Sequence, residues 1–341
     1  MGVDLRSLKP EDRAAAQGQL RLAVIQSLVA VGAMVALLYT ARTYRLTRRG
    51  QVTDRFTKAL ERLSSEREYV RIGGILALGQ ILHDARDQSE DAQTVLQNYI
   101  VEHTDEAGED WAEGDEPTER PAPEVQTAVD ALGAATRHAA YRLRLANRYL
   151  VRLNFAKLQL VSADLTGSDL RKSDLRKANL WDASLHSADL RLCDLRGAIF
   201  VSSSLRSARL QYSKLEGASF DHSLLKYAVF SEGNHGWGAR GASFRHAVLS
   251  GAKMVGFTLT ECDFRHADLN GANLRHATIQ KCRFAKADLN GADLRGADLR
   301  GAFGLKADQL VGAETDQETK LPPDLIPPVV VGQAHPPSVP D

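Results

Sequence analysis

The sequence predicts a mostly-β protein, a parallel β-helix preceded by one transmembrane helix and a small α-helical domain. Two observations carry this prediction. Every fifth residue from Phe155 to Phe230 is apolar, and the same beat returns from Phe244 to Leu299, usually with Ala, Ser or Cys two positions earlier. Near the N-terminus, Leu22 to Tyr39 is an 18-residue run without charge, bounded by arginines. A period of five fits neither the 3.6 of a helix nor the 2 of a simple strand, so the chain must coil.

The repeat has a direct physical reading. Each five-residue unit is a short extended segment whose positions i−2 and i point inward and whose i−1 and i+1 point outward, followed by a corner. Four corners close one coil, and stacked coils pair their backbones in parallel without crossover helices. The centres number 16 from 155 to 230 and 12 from 244 to 299, or four coils and three. At about 4.8 Å per layer, seven or eight coils make a rod roughly 35 Å long, with a filled interior and no cavity for a substrate. All 11 prolines lie outside Glu124 to Leu321, as a ladder that uses its N–H donors requires.

Units such as SADLT at Ser162, KANLW at Lys177, HADLN at His266 and GADLRGADLR at Gly291 resemble the pentapeptide-repeat family, whose consensus is A(D/N)Lxx. The resemblance covers roughly residues 150 to 305. It implies a right-handed quadrilateral β-helix.

The run from Leu22 to Tyr39 reads as one membrane-spanning helix. Its apolar core is too long for a cleaved signal peptide, and no small-residue cleavage site follows it. Arg6, Lys9, Arg13 and Arg21 precede the span, and Arg42, Arg45, Arg48, Arg49, Arg55 and Lys58 follow it. This excess places the C-terminal side, and with it the repeat domain, in the cytoplasm of a single-pass cell-membrane protein. Arg42, Arg45, Arg48 and Arg49 would lie against anionic headgroups of the inner leaflet.

Between span and rod the pattern is helical. Val52, Phe56, Ala59, Leu60 and Leu63 form one stripe, and Ile72, Ile75, Leu76, Gly79 and Leu82 a second. A third helix is predicted after Ser89 as its cap, with Leu96, Tyr99, Ile100 and His103 on one face. The segment VRIGGILALGQIL resembles a helix of the HEAT or armadillo type. Thr104 to Pro123 holds eight acids and one base with three prolines, and is expected to be a solvated, flexible linker. The resulting division is an N-terminal tail (1–21), the span (22–39), a juxtamembrane helical domain (40–103), an acidic linker (104–123), a helical cap on the first coil (124–148), the β-helix (149–305) with a loop at 231–243, and a C-terminal helix with a Pro-rich tail (306–341). This order, and the ending ADQLVGAETDQETKLPPDL, resemble membrane-anchored pentapeptide-repeat proteins of actinobacterial type.

Residue types that often carry chemistry are placed against it here. Cys193, Cys262 and Cys282 all fall at the inward i−2 site and stand in for alanine. His246, His266 and His276 fall at the outward i+2 site, so they cannot converge with the cysteines on one metal ion. GWGARG, Gly236 to Gly241, matches a phosphate-binding string, but it leads back into repeats and not into a helix. No metal, cofactor or catalytic constellation is expected, and the chain reads as a non-enzyme.

The step from Phe230 to Phe244 is 14, not a multiple of five, so the rod is read as interrupted there by a loop bearing Trp237 and Arg240. Trp237 either meets a partner or folds back on the rod. Arginines at i+1, including Arg171, Arg176, Arg191 and Arg196, with aspartates at i−1, make a wall of alternating sign. These six residues are the candidate partner contacts. The whole chain balances at 43 basic and 43 acidic residues, but Asn154 to Gly304 holds 21 basic and 15 acidic, or +6.

The resemblance implies, as the family's best-known activity, imitation of duplex DNA by an acidic rod that binds DNA gyrase. A rod at +6 has the wrong sign for that. The expected function is a membrane-tethered scaffold for an unknown protein partner. The alternative is a binder of anionic lipid or nucleic acid through arginine columns, with nucleic acid disfavoured because aspartates dilute the arginines. Homodimerisation stays open.

Overall fold

The structure, a computed structural model, describes residues 10–85, 88–105, 121–135, 142–233 and 237–325. The acidic residues 106–120, with Trp111, and the Pro-rich residues 326–341 lie outside the described residues, as do 136–141 of the segment expected to be helical. The chain divides into two units, 1–60 and 61–341.

In the first unit, α1 (Pro10–Leu63) runs as one continuous helix and carries the charge-free run. It is long and apolar enough to cross a membrane. The apolar side chains from Leu22 to Tyr39 are exposed, and the polar interruption at Ser27 is closed by a hydrogen bond from its hydroxyl to the Ala23 carbonyl (2.8 Å).

In the second unit, parallel backbone pairing recurs every 20 residues, four units per coil, as in Asp164↔Ser184, Ser184↔Ser204 and Ser204↔Leu224. Coils begin at Leu145, Leu165, Leu185, Leu205, Leu225, Leu249, Leu269 and Leu289, all buried. In most units the residue at i+2 turns the corner in the left-handed region, as at Lys157 (φ 63°), Leu192 (φ 62°) and Tyr212 (φ 65°). Among the described residues none of the corners with positive φ holds Val, Ile or Thr, because a β-branched side chain clashes most severely in that conformation.

The rod starts earlier than residue 149. Arg144 already pairs with Asp164, and Leu143 and Leu145 fill the inward sites of an additional unit. A leucine where the repeat normally places alanine hides that unit in the sequence.

The inward side chains stack by layer. Phe200, Phe220, Phe244, Phe264 and Phe284 form one column, with ring centroids 4.9, 5.1, 4.8 and 5.0 Å apart and rings within 11° of parallel. Buried serines at i−2 donate to carbonyls of the coil below, as Ser173 does to Leu150 (2.9 Å) and Ser203 to Leu180 (2.6 Å). A hydroxyl therefore enters the core without being left unpaired.

The step of 14 does not interrupt the wall, in contrast to the sequence-based expectation. β1 (Val229–Glu232) pairs with β3 (Lys253–Val255), and β2 (Gly238–Arg240) pairs in register with β4 (Thr258–Thr260), which pairs with β5 (Thr278–Gln280). Buried Ala239 takes the central inward site, so the change is a four-residue insertion within one unit. The many glycines do not break the wall, since one of them is required by it. A Cβ on Gly238 would lie 2.0 Å from the Thr258 carbonyl oxygen.

Below the first coil, α2 (Glu68–Asp84), α3 (Ser89–Glu102) and α4 (Pro123–Ala135) pack on one another. α2 buries Gly74, Ile75, Leu78, Ile81 and Leu82 because it touches both other helices, whereas Leu76 of the expected stripe is exposed. Ser89 is the first residue of α3 and not its cap, which is Gln88. The buried Glu124 carboxylate pairs with Arg71, whose guanidinium also donates to the Ser65 and Glu66 carbonyls (3.0 and 2.8 Å), tying α4 to the start of α2.

The helices also close the lower end of the rod. The Gln126 side chain accepts from the Asn154 amide (2.7 Å) and donates to its carbonyl (2.9 Å), as a neighbouring strand would. The Arg144 amide donates to the Gln97 side chain (2.9 Å), and the Tyr149 amide to the Asp105 carbonyl (2.9 Å).

The upper end is closed by the chain that follows the last coil. Past β7 (Ala302–Phe303) and the short α5 (Ala307–Leu310), Glu314 pairs with Asp293 and Lys320 with Asp298. The Gln309 amide donates to the Phe284 and Ala287 carbonyls (2.9 and 2.6 Å), and the Asp316 carboxylate accepts from the Gly296 amide (2.9 Å).

Candidate interaction surface

With the interior filled, the chemistry available to the rod lies on its outer walls and corners. Where a unit carries aspartate at i−1 and arginine at i+1, the arginine turns back on that aspartate. An extended segment puts i−1 and i+1 on one side, within reach of a bidentate pair. In the Asp174–Arg176 pair, Nε lies 2.9 Å from Oδ1 and Nη2 2.5 Å from Oδ2, and the Arg176 amide also donates to Oδ1 (3.0 Å). The same unit recurs at Asp194–Arg196, Asp263–Arg265, Asp293–Arg295 and Asp298–Arg300. Hydrogen bonds from these arginines hold the carboxyls of Asp174, Asp194, Asp293 and Asp298 below the usual carboxylate range.

The unit recurs on three walls in different surroundings, and exposure varies even along one wall, since Arg295 on the wall of Arg171 is 44% exposed. Arg176 and Arg196 are 51% and 46% exposed. Arg171 and Arg191, on the neighbouring wall, are only 3% and 10% exposed and pair with Asp169 and Asp189. Of the candidate partner contacts, Arg171 and Arg191 therefore do not present open guanidinium groups, whereas Arg176, Arg196 and Arg240 are exposed. Arg240 lies 3.4 Å from Glu261.

Trp237 is exposed yet lies against the rod, edge-on to Tyr212 with ring centroids 5.8 Å apart. The Trp237 carbonyl accepts from the Thr258 amide (2.9 Å), so its backbone belongs to the wall. Leu192 and Tyr212 stand at successive layers of the same corner and are also exposed. The sequence reading passed over both. Their signal was there, since each is a bulky residue at i+2, where most units carry Gly, Ser, Lys or His.

On another corner His222, His246 and His266 stack, with ring centroids 4.7 and 4.6 Å apart. Desolvation first, then the neighbouring imidazoles, hold His246 below its ordinary value. Stacked parallel rings direct their nitrogens alongside one another and not toward a common point. Among the described residues no group of three potential metal ligands converges. Cys193, Cys262 and Cys282 are reduced and buried, the Cys262 amide lying 3.4 Å from the Cys282 sulfur, and burial pushes the Cys193 thiol far up. Gly238 and Gly241 of the GWGARG string lie in or beside β2, with no helix N-terminus after them.

The model of the pentapeptide repeats matches residues 150–200, 203–234, 242–280 and 267–303, in eight copies. The rod of this chain belongs to the pentapeptide-repeat family. Its repeat rod is a right-handed β-helix, and the break between the second and third matched ranges falls at the insertion, where β2 nonetheless continues the wall. Among solved structures the protein is similar to HetL, a pentapeptide-repeat protein involved in heterocyst differentiation regulation from the cyanobacterium Nostoc sp. strain PCC 7120. The identity is 25% over 53% of this chain and 81% of that one, with a TM-score of 0.26. It is similar also to QnrB1, a plasmid-mediated fluoroquinolone resistance protein (20% identity, 51% and 83% coverage, TM-score 0.31). A third likeness is to a pentapeptide-repeat protein of the Arabidopsis thaliana thylakoid lumen (27% identity, 30% and 63% coverage, TM-score 0.13). At such TM-scores these likenesses carry nothing about function. No curated protein matches the sequence.

Proposed function

We propose that this pentapeptide-repeat protein is a non-enzymatic, membrane-tethered scaffold whose rod binds a protein partner through its outer surface. The observation that carries the reading is the filled interior. The inward sites of the described coils hold side chains down to the last layer, which leaves the ordered outer columns as the means of recognition. Four units per coil support a quadrilateral cross-section, which gives four flat walls.

The charge-free run of α1 would cross the membrane, and the arginines that follow it would lie in the inner leaflet with the rod cytoplasmic. Arg42, Arg45, Arg48 and Arg49 are the lipid contacts in this reading. The self-paired Asp–Arg units speak against the alternative of a lipid or nucleic-acid binder working through the rod's arginines, because such a pair shows a distant polyanion little net field. A gyrase-binding DNA mimic is disfavoured by the rod's +6 charge.

The test is in-cell crosslinking and detergent purification of the full chain beside Trp237→Ala and Arg240→Glu variants. A specific protein that co-purifies with the parent and is lost from the variants supports the scaffold. Recovery of lipid alone from all three would overturn it. Protease protection of the rod in sealed, inside-in vesicles tests the topology.

A further inference from the structure

One wall of the rod departs from the others. Its i−1 column runs from Gln159 through Asn179, Ile199, Asp263 and Arg283 to Phe303. Where the preceding wall carries Asp174–Arg176 and Asp194–Arg196, this one carries Asn179–Trp181 and Ile199–Val201. Among the described residues, Trp181, Ile199 and Phe303 are the exposed large apolar side chains at the rod's i−1 and i+1 sites, and all three stand on this wall. The fold does not require them, since aspartate and arginine serve the same sites one wall earlier.

We infer that this wall is the self-association surface of the chain, and that its occupant is the same wall of a second copy, the two rods lying side by side in parallel about a two-fold axis along their length. In that arrangement the i−1 column of one copy faces the i+1 column of the other, layer for layer. Ile199 then meets the partner's Val201, and Asn179 meets the partner's Trp181. In the layers above, Ser219 meets the partner's Asp221, Ser243 the partner's Arg245 and Asp263 the partner's Arg265, so the charged layers are complementary as well. Arg265 bonds its own Asp263 yet is 40% exposed, and two such pairs brought together across the axis form a ring of alternating charge. An antiparallel pairing sets each column against itself in reversed order. Full overlap then places Val201 against the partner's Arg245 and Asp221 against the partner's Asp221, which is unfavourable in both layers.

The size of the wall sets the strength of the dimer. Gln159 to Arg283 spans seven layers, about 30 Å at the strand spacing, and side chains at i−1 and i+1 cover a width of about 12 Å. Each copy thus offers on the order of 400 Å², about half of what one partner buries in a standard stable interface. The dimer is therefore weak and reversible, with a Kd on the order of 10 µM. Trp237 and Arg240 lie on the preceding wall, so the dimer presents both candidate contacts twice. The inference stands with or without an external partner for the rod.

Sedimentation equilibrium of the full chain in density-matched detergent, between about 1 and 200 µM, tests it. The parent should pass from monomer to dimer over that range. The double variant Trp181→Arg, Ile199→Asp gives this wall the residue types of its neighbour, so it keeps the repeat, and its melting temperature should match the parent's while its dimer weakens at least tenfold. A parent that stays monomeric, or a folded variant whose Kd rises less than tenfold, overturns the inference; the second result would place any dimer on α1 or another wall.

A charge exchange tests the parallel two-fold without touching the apolar layers. Asp263→Arg and Arg265→Asp, made separately, each set like charges across the axis and should dimerise more weakly than the parent. Mixed under different labels, the two should associate more tightly than either does alone, because each supplies the charge that the other lacks. A mixture no tighter than the separate variants overturns the arrangement.

Discussion

Replacing Gly238 by alanine tests whether the wall runs through the insertion. The added methyl carbon would lie 2.0 Å from the Thr258 carbonyl oxygen and 2.9 Å from its carbon, and both are backbone atoms that no rotamer change can move. The backbone conformation of Gly238 is ordinary, so the whole penalty comes from the close approach of β2 to β4. Relief requires the two strands to separate, with loss of two to three ladder hydrogen bonds. Among them are Thr258 amide to Trp237 carbonyl (2.9 Å) and Gly241 amide to Thr260 carbonyl (2.8 Å). At about 1 kcal/mol each the expected loss is about 2–3 kcal/mol, or roughly 4–12 °C in Tm for a unit of this size. Gly217→Ala is the comparison. That residue turns a corner at φ 67° with nothing within 4 Å of the added carbon, so its cost is conformational and about 1 kcal/mol or less. Thermal and urea unfolding of both variants in detergent measure the difference. If Gly238→Ala is no more damaging than Gly217→Ala, β2 does not pair with β4 as described.

Three further outcomes are expected. Phe200→Ala, which removes the first ring of the stacked column, should destabilise the rod by about 3–5 kcal/mol, whereas Leu192→Gly should leave stability unchanged or raise it by up to about 1 kcal/mol by relieving the left-handed corner; urea midpoints separate the two. The three thiols should resist a disulfide reagent in the folded protein and all react in denaturant, since burial disfavours the thiolate of Cys193; fast labelling of the native protein would contradict this. Stability should fall with acid in two windows. His246 is held below its ordinary 6.5, so the folded state resists a proton that the unfolded chain accepts, and stability declines as pH drops below about 6.5. Asp174, Asp194, Asp293 and Asp298 have depressed folded values, so their contribution is present above about pH 4 and is lost as pH falls through those values. A melting temperature flat from pH 7 to 3 would contradict both.

Much of the rod was legible because its two inward sites are chemically narrow. A small residue at i−2 and an apolar one at i recur often enough to fix the period, and the cysteines follow from the same rule. Where a site departs from that vocabulary the reading fails. Leu143 hid the first unit, and Ala239, a small residue at the site that otherwise takes Leu, Phe, Met or Ile, made an insertion look like a break. The spacing of Phe200, Phe220, Phe244, Phe264 and Phe284, in steps of 20 with one of 24, records that insertion in the sequence as four added residues. The fate of the arginines was harder to see. Alternation along the strand showed that Asp and Arg share a face, but Arg171 is buried while Arg295, on the same wall, is 44% exposed, so the difference depends on the surroundings of each layer, which a single five-residue unit does not encode. For the same reason the corner at Leu192 and Tyr212 emerged only once the coils were stacked.

The two closed ends set a limit on assembly. A coil with unpaired amides and carbonyls is a template on which another coil adds, and an uncapped rod would behave as a fibre seed. Here Gln97, Gln126 and Asp105 at one end, and Gln309, Glu314, Asp316 and Lys320 at the other, take up those groups with side chains and stray backbone. The number of layers is thereby written into the chain as a fixed length. Addition of one coil upon another along the axis is blocked by the same few hydrogen bonds that finish the fold.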